Sequence, residues 1–345
     1  MNVLFIAPKV FELHKPIVKE LQRQGNNVDF ISDTMFPHDN GFISKNTIKK
    51  VFDHYLHNTY KTEEKHWREL FELHNIHNKH YDLCLCINAC SIGKFFITNI
   101  RKINPDIRLV LYLWDNLQFF DFKRNFKYFD KVYTFDYNDS KNNSGVKFLP
   151  LYWFPVVAPE KELYDVSLIG SHHDDRLRIA EKIAKQLDEN NLTYLFKVVC
   201  ASNARWSPTL LKAYLLAKLK GDSLAMRDIK IVVGEEKHPL ISHNHYSVED
   251  TNRIISLSRC VLDTDRPSQS GLTIRFMWAL GQGKKIITTN SSIKEMPFYD
   301  ENRILVIERD NPTIDLDFIR KDIKKEPHEF VLKSRLDNFT RELIS

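Results

Sequence analysis

The stretch PSQSGLTIRFMWALGQGKKIITTN, residues 267–290, places glycine, threonine and arginine where an apolar helix begins. Gly271 has no Cβ, so the backbone there can come close to a ligand. A helix start offers N–H groups and the positive end of the helix dipole, which together favour a phosphate. Gln269, Ser270 and Thr273 add polar side chains to that start. Arg275 lies one turn further and can grip a diphosphate through two parallel hydrogen bonds. The same pattern also fits an N-capped core helix carrying a surface arginine. Neither G-x-G-x-x-G nor G-x-x-x-x-G-K-[ST] occurs, which removes the main support for dinucleotide or P-loop chemistry.

The elements that must position these residues come in two sets of short apolar runs. The first is VLFIA (3–7), VDFIS (28–32), DLCLCIN (82–88), IRLVLYLW (107–114), KVYTFD (131–136) and VKFLPL (146–151). The second is DVSLIG (165–170), TYLFKVV (193–199), IKIVV (229–233), CVLDT (260–264), KKIITTN (284–290) and RILVIE (303–308). Between many of them lie stretches of helical period. KPIVKELQRQG (15–25) ends on a glycine, and RLRIAEKIAKQLDEN (176–190) puts Ile179, Ile183 and Leu187 on one stripe. Short apolar strands alternating with helices predict α/β architecture with parallel sheets buried on both faces. Two Rossmann-like domains are therefore expected, 1–157 and 158–312, with a helical insertion near 36–80 and a charged helical tail at 313–345. SVEDTNRIISLS (247–258) reads as a helix with Ser247 as N-cap and Asp250 as its capping partner.

Open α/β sheets bind ligands beyond the carboxyl ends of their strands, at the point where strand order reverses. In the second domain, three loops should converge there. One carries Ser171, His172 and Arg176, the next runs from Asp265 to Gly271, and the last begins at Asn290. The two histidines His172 and His173 also suit a solvated loop. SPTLLKAYLLAKLKG (207–221) reads as an apolar helix with Lys212, Lys218 and Lys220. It fits either a core-packed helix with a solvated edge or a basic surface meeting a membrane.

The whole chain has 345 residues, enough for two cores. Hydrophobic residues make up 43% and charged residues 28%, the balance of a globular protein. No apolar run approaches the ~18 residues of a membrane span, and the first residues lack the basic region of a signal peptide. A cytoplasmic location is expected. The net charge of +5 is too dispersed for nucleic acid and suits loose contact with an anionic inner-membrane face. The five cysteines read as buried reduced thiols, with Cys84, Cys86 and Cys90 on one strand face.

The segment VLDTDRPSQSGLTIRFMWALGQGKKIITTN resembles the donor-site region of GT-B glycosyltransferases from bacterial polysaccharide and lipopolysaccharide gene clusters, related to the CgeB and glycosyl-transferase-group-1 types. LYLWDN (111–116), KYFDKVYTFDYNDS (127–140), KFLPLYW (147–153), DVSLIGSHHDDR (165–176) and RILVIERDNP (303–312) resemble the same family in order, so the likeness covers most of the chain. It implies a GT-B fold, two Rossmann-like domains facing across a cleft, with the acceptor on the first and a nucleotide-sugar donor on the second. The tail would pack back on the first domain. The implied acceptor is lipopolysaccharide core, O-antigen or capsule, free or lipid-linked. The nucleotide sugar is a substrate, and no cofactor or metal is expected, the Asp263-Thr264-Asp265 pattern notwithstanding. One departure stands out. Where the family often has a glutamate that holds the donor ribose, this chain has Trp278, whose indole cannot accept a hydrogen bond.

Transfer to a hydroxyl with inversion needs a general base, expected from strand ends of the first domain. Asp115 ends the apolar run LYLWD, where it serves equally well as a helix cap. Glu12 and His14, after the first strand, are alternatives. For the leaving diphosphate, Arg275 comes first, then Arg176. Lys284 and Lys285 enter a strand from its far end and read as structural. Besides a transferase, the sequence admits a catalytically inactive GT-B homologue that binds nucleotide or scaffolds glycan assembly, and a nucleotide-sugar epimerase of the same architecture.

Overall fold

The computed structural model describes residues 1–33, 59–118, 122–157, 159, 161–173, 175–200, 206, 208–267, 270–296, 298–324, 326–327 and 329–345. Contacts divide the chain into two compact units. The first is Met1–Phe154 with Gln269–Met277 and Glu329–Ser345, and the second is Pro155–Ser268 with Trp278–His328.

The first unit holds β1 (Asn2–Ala7), β2 (Asn27–Ser32), β3 (Leu83–Ile87), β4 (Arg108–Leu113), β5 (Lys131–Thr134) and β6 (Val146–Phe148). They form one parallel sheet in the order β2-β1-β3-β4-β5-β6. Every residue of β3 is buried, as a strand covered on both faces requires. The helices of this unit in its first stretch are α1 (His14–Arg23), α2 (Thr59–Leu73), α3 (Lys94–Ile103) and α4 (Tyr137–Asn142). Ile17 and Leu21 turn one face of α1 into the core, and Gly25 at φ +82° lets the chain swing into β2. The insertion expected near 36–80 lies outside the described residues up to 58; beyond that it is α2 and a short turn at Ile76–Asn78. Trp67 and Phe71 of α2 pack into the same core as β1, β3 and β4.

The second unit contains β7 (Tyr164–Ser171), α5 (Arg176–Glu189), β8 (Tyr194–Val199), α6 (Pro208–Lys220), α7 (Ser223–Val232), β9 (Ile241–Ser242), α8 (Val248–Ser256) and β10 (Ser258–Asp263). After α9 (Ile274–Gly281), which runs from the first unit into the second, come β11 (Lys285–Thr288), β12 (Ile304–Val306) and α10 (Leu316–Arg320). This sheet is also parallel, in the order β12-β11-β10-β7-β8-β9. Counted from β9, that is the 3-2-1-4-5-6 order of a doubly wound sheet. Strand order therefore reverses between β1 and β3 in the first sheet and between β7 and β10 in the second.

Three readings of the sequence need correction. Residues 229–233 were expected as a strand but close α7. The Asp222 carboxylate accepts from the Ala225 amide and caps that helix, and only Ile231 within it is buried. The sixth strand of the sheet is instead the two-residue β9. Cys90 lies in the loop beyond β3, not on its face, although all five cysteines are buried and free. The helix expected to begin near Gly271 starts at Ile274, so Thr273 caps it and Gly271 lies before it.

Ser247 and Asp250 form the expected capping box of α8. Lys284 and Lys285 are consumed by structure. Lys284 reaches the Glu162 carboxylate (2.8 Å) and the Ser256 carbonyl (2.7 Å); Lys285 donates to the carbonyls of Phe318, Ile319 and Lys321 at the end of α10. The chain's last helices, α11 (Glu329–Leu332) and α12 (Leu336–Ile344), belong to the first unit. There Trp153 Nε1 donates to the Val331 carbonyl, and Gln24 Nε2 donates to Asp337 O (3.0 Å) and Thr340 Oγ1 (2.7 Å). Among the described residues, no helix is long and apolar enough to cross a membrane.

Candidate functional site

In the second unit, the loops after β7, β10, β11 and β12 meet at one edge because all four strands are parallel. Arg176, in the first turn of α5, is buried at this edge. Its Nη1 donates to Ser171 O (2.5 Å), its Nε to Thr264 Oγ1 (2.7 Å) and its Nη2 to Thr264 O (2.5 Å). It therefore ties the end of β7 to the end of β10, across the reversal of strand order. His172 is half-buried, and its amide donates to Val199 O, joining the end of β8. Asn290 follows β11, is buried, and caps the next turn by accepting from the Ser292 amide.

A second guanidinium completes this edge. Arg309, beyond β12, pairs with Asp175 (2.7 Å) and Asp265 (2.6 Å) and also reaches Thr289 Oγ1 (3.0 Å). Asp265 is buried, and burial pushes its carboxyl up to about 6; the neighbouring Asp263 charge adds to this, while Thr289 and Arg309 oppose it. Reasoning from sequence passed over Arg309. Its signal was the segment RILVIERDNP, where an arginine follows an apolar strand on the edge that holds the other loops.

The helix-start segment lies with the first unit. The Asp136 carboxylate, just beyond β5, accepts from Ser270 Oγ (2.5 Å), the Ser270 amide (3.3 Å) and the Gly271 amide (2.9 Å). A side chain at Gly271 would run into the Phe135 ring, so packing already demands a glycine there. Thr273 Oγ1 accepts from the Phe276 amide (3.1 Å), and Arg275 is buried within α9. Gln269 lies outside the described residues. The expected donor residues thus fall into two groups, with Ser270, Gly271, Thr273 and Arg275 in one unit and Ser171, His172, Arg176 and Asn290 in the other.

The acid–base candidates sit along the carboxyl edge of the first sheet. Asp115 follows β4, is half-buried, and accepts from Asn88 Nδ2 (2.8 Å). Asn88 follows β3 at φ +59° and also accepts the Trp114 amide at its Oδ1 (3.0 Å), so it fixes the backbone and the carboxylate of the same loop. Nothing in its sequence context marked Asn88 for this role. His14 opens α1 and stacks on Phe30, with ring centroids 4.4 Å apart. Burial first, then Lys9 and Lys15, lowers its basicity. Glu12, at φ +58°, pairs with Lys15 (2.5 Å). Since β3 lies between β1 and β4, the loops carrying His14 and Asp115 leave strands about 10 Å apart. Asp33, after β2, reaches over to the β3 loop and accepts from the Cys90 (2.7 Å) and Ser91 (3.0 Å) amides. Burial, then the Asp33 and Asp115 charges, pushes the Cys90 thiol up.

No family model and no curated protein matches the chain. Solved structures are similar to it at low identity. The OtsA apo structure aligns with a TM-score of 0.57 at 10% identity, covering 100% of this chain and 98% of that one. The N-terminal domain of trehalose-6-phosphate phosphatase from Candida albicans gives 0.53 at 12%, covering 99% and 95%. A UDP-forming alpha,alpha-trehalose-phosphate synthase from Burkholderia xenovorans gives 0.51 at 9%, covering 100% and 94%. Likeness at this identity speaks to architecture, since unrelated chemistries share folds. The chain has an α/β GT-B fold made of two Rossmann-like domains.

Proposed function

We propose that this chain is a metal-independent glycosyltransferase. It moves a sugar from a nucleotide-sugar donor to a surface-glycan acceptor such as lipopolysaccharide core, O-antigen or capsule, at the cytoplasmic face of the inner membrane. The observation that carries the reading is the edge of the second sheet, where two guanidinium groups gather the loops after β7, β10, β11 and β12 at the reversal of strand order. Such an edge is where doubly wound sheets take ligands, and cations there suit a diphosphate. Donor contacts at this edge are assigned to Ser171, His172, Arg176 and Asn290.

In this mechanism the acceptor hydroxyl attacks the anomeric carbon, and the bond from that carbon to the diphosphate oxygen breaks. Asp115 takes the hydroxyl proton, held in place by Asn88. Glu12 and His14 are less suited, because Glu12 is spent on Lys15 and His14 is buried against Phe30. Positive side chains balance the charge on the leaving diphosphate. The alternative is a catalytically inactive homologue that binds nucleotide or scaffolds a glycan-assembly complex. It is favoured by Asp136, whose carboxylate occupies the Ser270 and Gly271 donors that a phosphate would use.

A thermal-shift panel with UDP, GDP, ADP, dTDP, CDP and CMP tests the donor. A nucleotide at ~100 times its Kd should stabilise the fold by about 2.7 kcal/mol, and His172→Ala should reduce that gain. Asp115→Asn should keep nucleotide binding and lose transfer. No response to any nucleotide would sink the transferase reading.

A further inference from the structure

The helix α6 has an unusual surface for a water-facing element. Its sequence PTLLKAYLLAKLK combines five leucines with three lysines and no acidic residue. Most of its described side chains are exposed, and among them Ala217 is the buried one. Leu211, Leu215 and Leu219 recur every four residues and form one ridge, exposed by 49%, 51% and 84%. Leu216, 47% exposed, widens it. At 100° per residue, Lys218 falls beside Leu211, Lys220 falls beside Leu216, and Lys212 lies within the ridge. All three lysines are exposed. No acidic residue occurs between Cys200 and Gly221. At the head of the helix, the half-open Trp206 sets its ring edge-on to Tyr214, with centroids 5.3 Å apart, and its Nε1 donates to Glu235 (2.6 Å).

We propose that α6 is a docking ridge for an anionic phospholipid bilayer. The leucines enter the boundary between headgroups and acyl chains, while the lysines extend to the anionic headgroups. Trp206 and Tyr214 suit the same interface, where an apolar ring with a polar atom is at home. With 13 residues the helix is too short to span a bilayer and must lie on it. A second copy of the chain fits this surface poorly. Two such ridges face to face would crowd Lys212, Lys218 and Lys220 against their counterparts, with no carboxylate on α6 to pair them. The inference stands on this helix and needs no nucleotide chemistry.

The test is co-sedimentation of the full chain with vesicles of phosphatidylethanolamine and phosphatidylglycerol, against vesicles of phosphatidylcholine alone. Sedimentation with the anionic vesicles is expected, and it should weaken as salt rises. Lys212→Gln, Lys218→Gln and Lys220→Gln should each cut partitioning about fivefold. The pair Leu215→Ser with Leu219→Ser should cut it about tenfold or more. These side chains are exposed, so the variants should fold, and an unchanged thermal midpoint checks this. The proposal is overturned if the native chain stays in solution with anionic vesicles. Equal sedimentation after the leucine substitutions would also overturn it. So would a dimer in sedimentation velocity that those substitutions abolish, because a second copy would then cover the ridge. Nucleotide-induced shifts measured on the same variants keep a failure here separate from a failure of the transferase reading.

Discussion

The two sheets have the same number of strands and the same parallel sense, but they close their carboxyl edges with opposite charges. At the first, carboxylates do the work: Asp33 takes the Cys90 and Ser91 amides, and Asp136 takes the Ser270 and Gly271 donors. At the second, guanidinium groups do it. Arg176 gathers the oxygens of Ser171 and Thr264, and Arg309 gathers Asp175, Asp265 and Thr289. Asp33 and Arg176 solve one problem. Where strand order reverses, neighbouring loops part, and their backbone groups need partners from a side chain. A carboxylate satisfies amides, and a guanidinium satisfies carbonyls. The by-product is chemical. The first edge is rich in groups that accept protons from hydroxyls, and the second is rich in groups that hold anions.

The largest effect should come from removing the cation that spans the second reversal. Arg176→Met keeps length and apolar volume but leaves the Ser171 and Thr264 carbonyls without their donor. A loss of about 3–5 kcal/mol is expected, read as a fall in the thermal midpoint. If stability barely changes, Arg176 does not hold the two loops together, and the parallel between the two edges fails.

The matching change at the first reversal is smaller. Asp33→Ala deprives two buried amides of their acceptor and should cost about 2–4 kcal/mol. Asp33→Asn keeps one acceptor oxygen and should recover part of that. Hydrogen exchange at Cys90 and Ser91 would localise the effect. Unchanged protection of both amides in the alanine variant would show that the carboxylate does not hold the β3 loop.

Much of this architecture was legible in the residues. DVSLIG lies wholly within β7, and the Ser247 cap with its Asp250 partner is present as the pattern implied, because strand burial and helix capping are local in sequence. The run IKIVV misled because β-branched residues look like a strand by type. A cap at Asp222 and a neighbouring helix decided otherwise. The edge devices were mostly out of reach. Asp136 and Ser270 are 134 residues apart, and no spacing rule joins them. Gly271 was read as room for a ligand, and packing against Phe135 by itself already demands a glycine there. Arg176 was recognised as an important cation, but its partners include the Ser171 and Thr264 carbonyls, which sequence does not display. Arg309 needed the strand order before its loop could be placed with the others.

The finest contrast between the edges lies in how Asp265 titrates. An exposed aspartate has a pKa of about 3.9, while burial raises that of Asp265 to about 6 despite Arg309 at 2.6 Å. Below pH ~4 the group is protonated in folded and unfolded chains alike. Between about 4 and 6 the folded protein holds a proton that the unfolded chain has released, so this contribution to stability is lost as pH rises through the window. Against Asp265→Asn, which cannot titrate, the native protein should lose up to about 3 kcal/mol of relative stability from pH ~4 to ~6, and then level off. Urea midpoints of the two proteins measured across this range give the slope. A flat difference would mean that Arg309 keeps Asp265 ionised throughout, and the second edge would then hold a fixed ion pair in place of a protonatable one. A falling difference would mean that Arg309 shares its charge with a neutral neighbour below pH ~6, leaving Asp175 as its main counter-charge and more of its field for an anion.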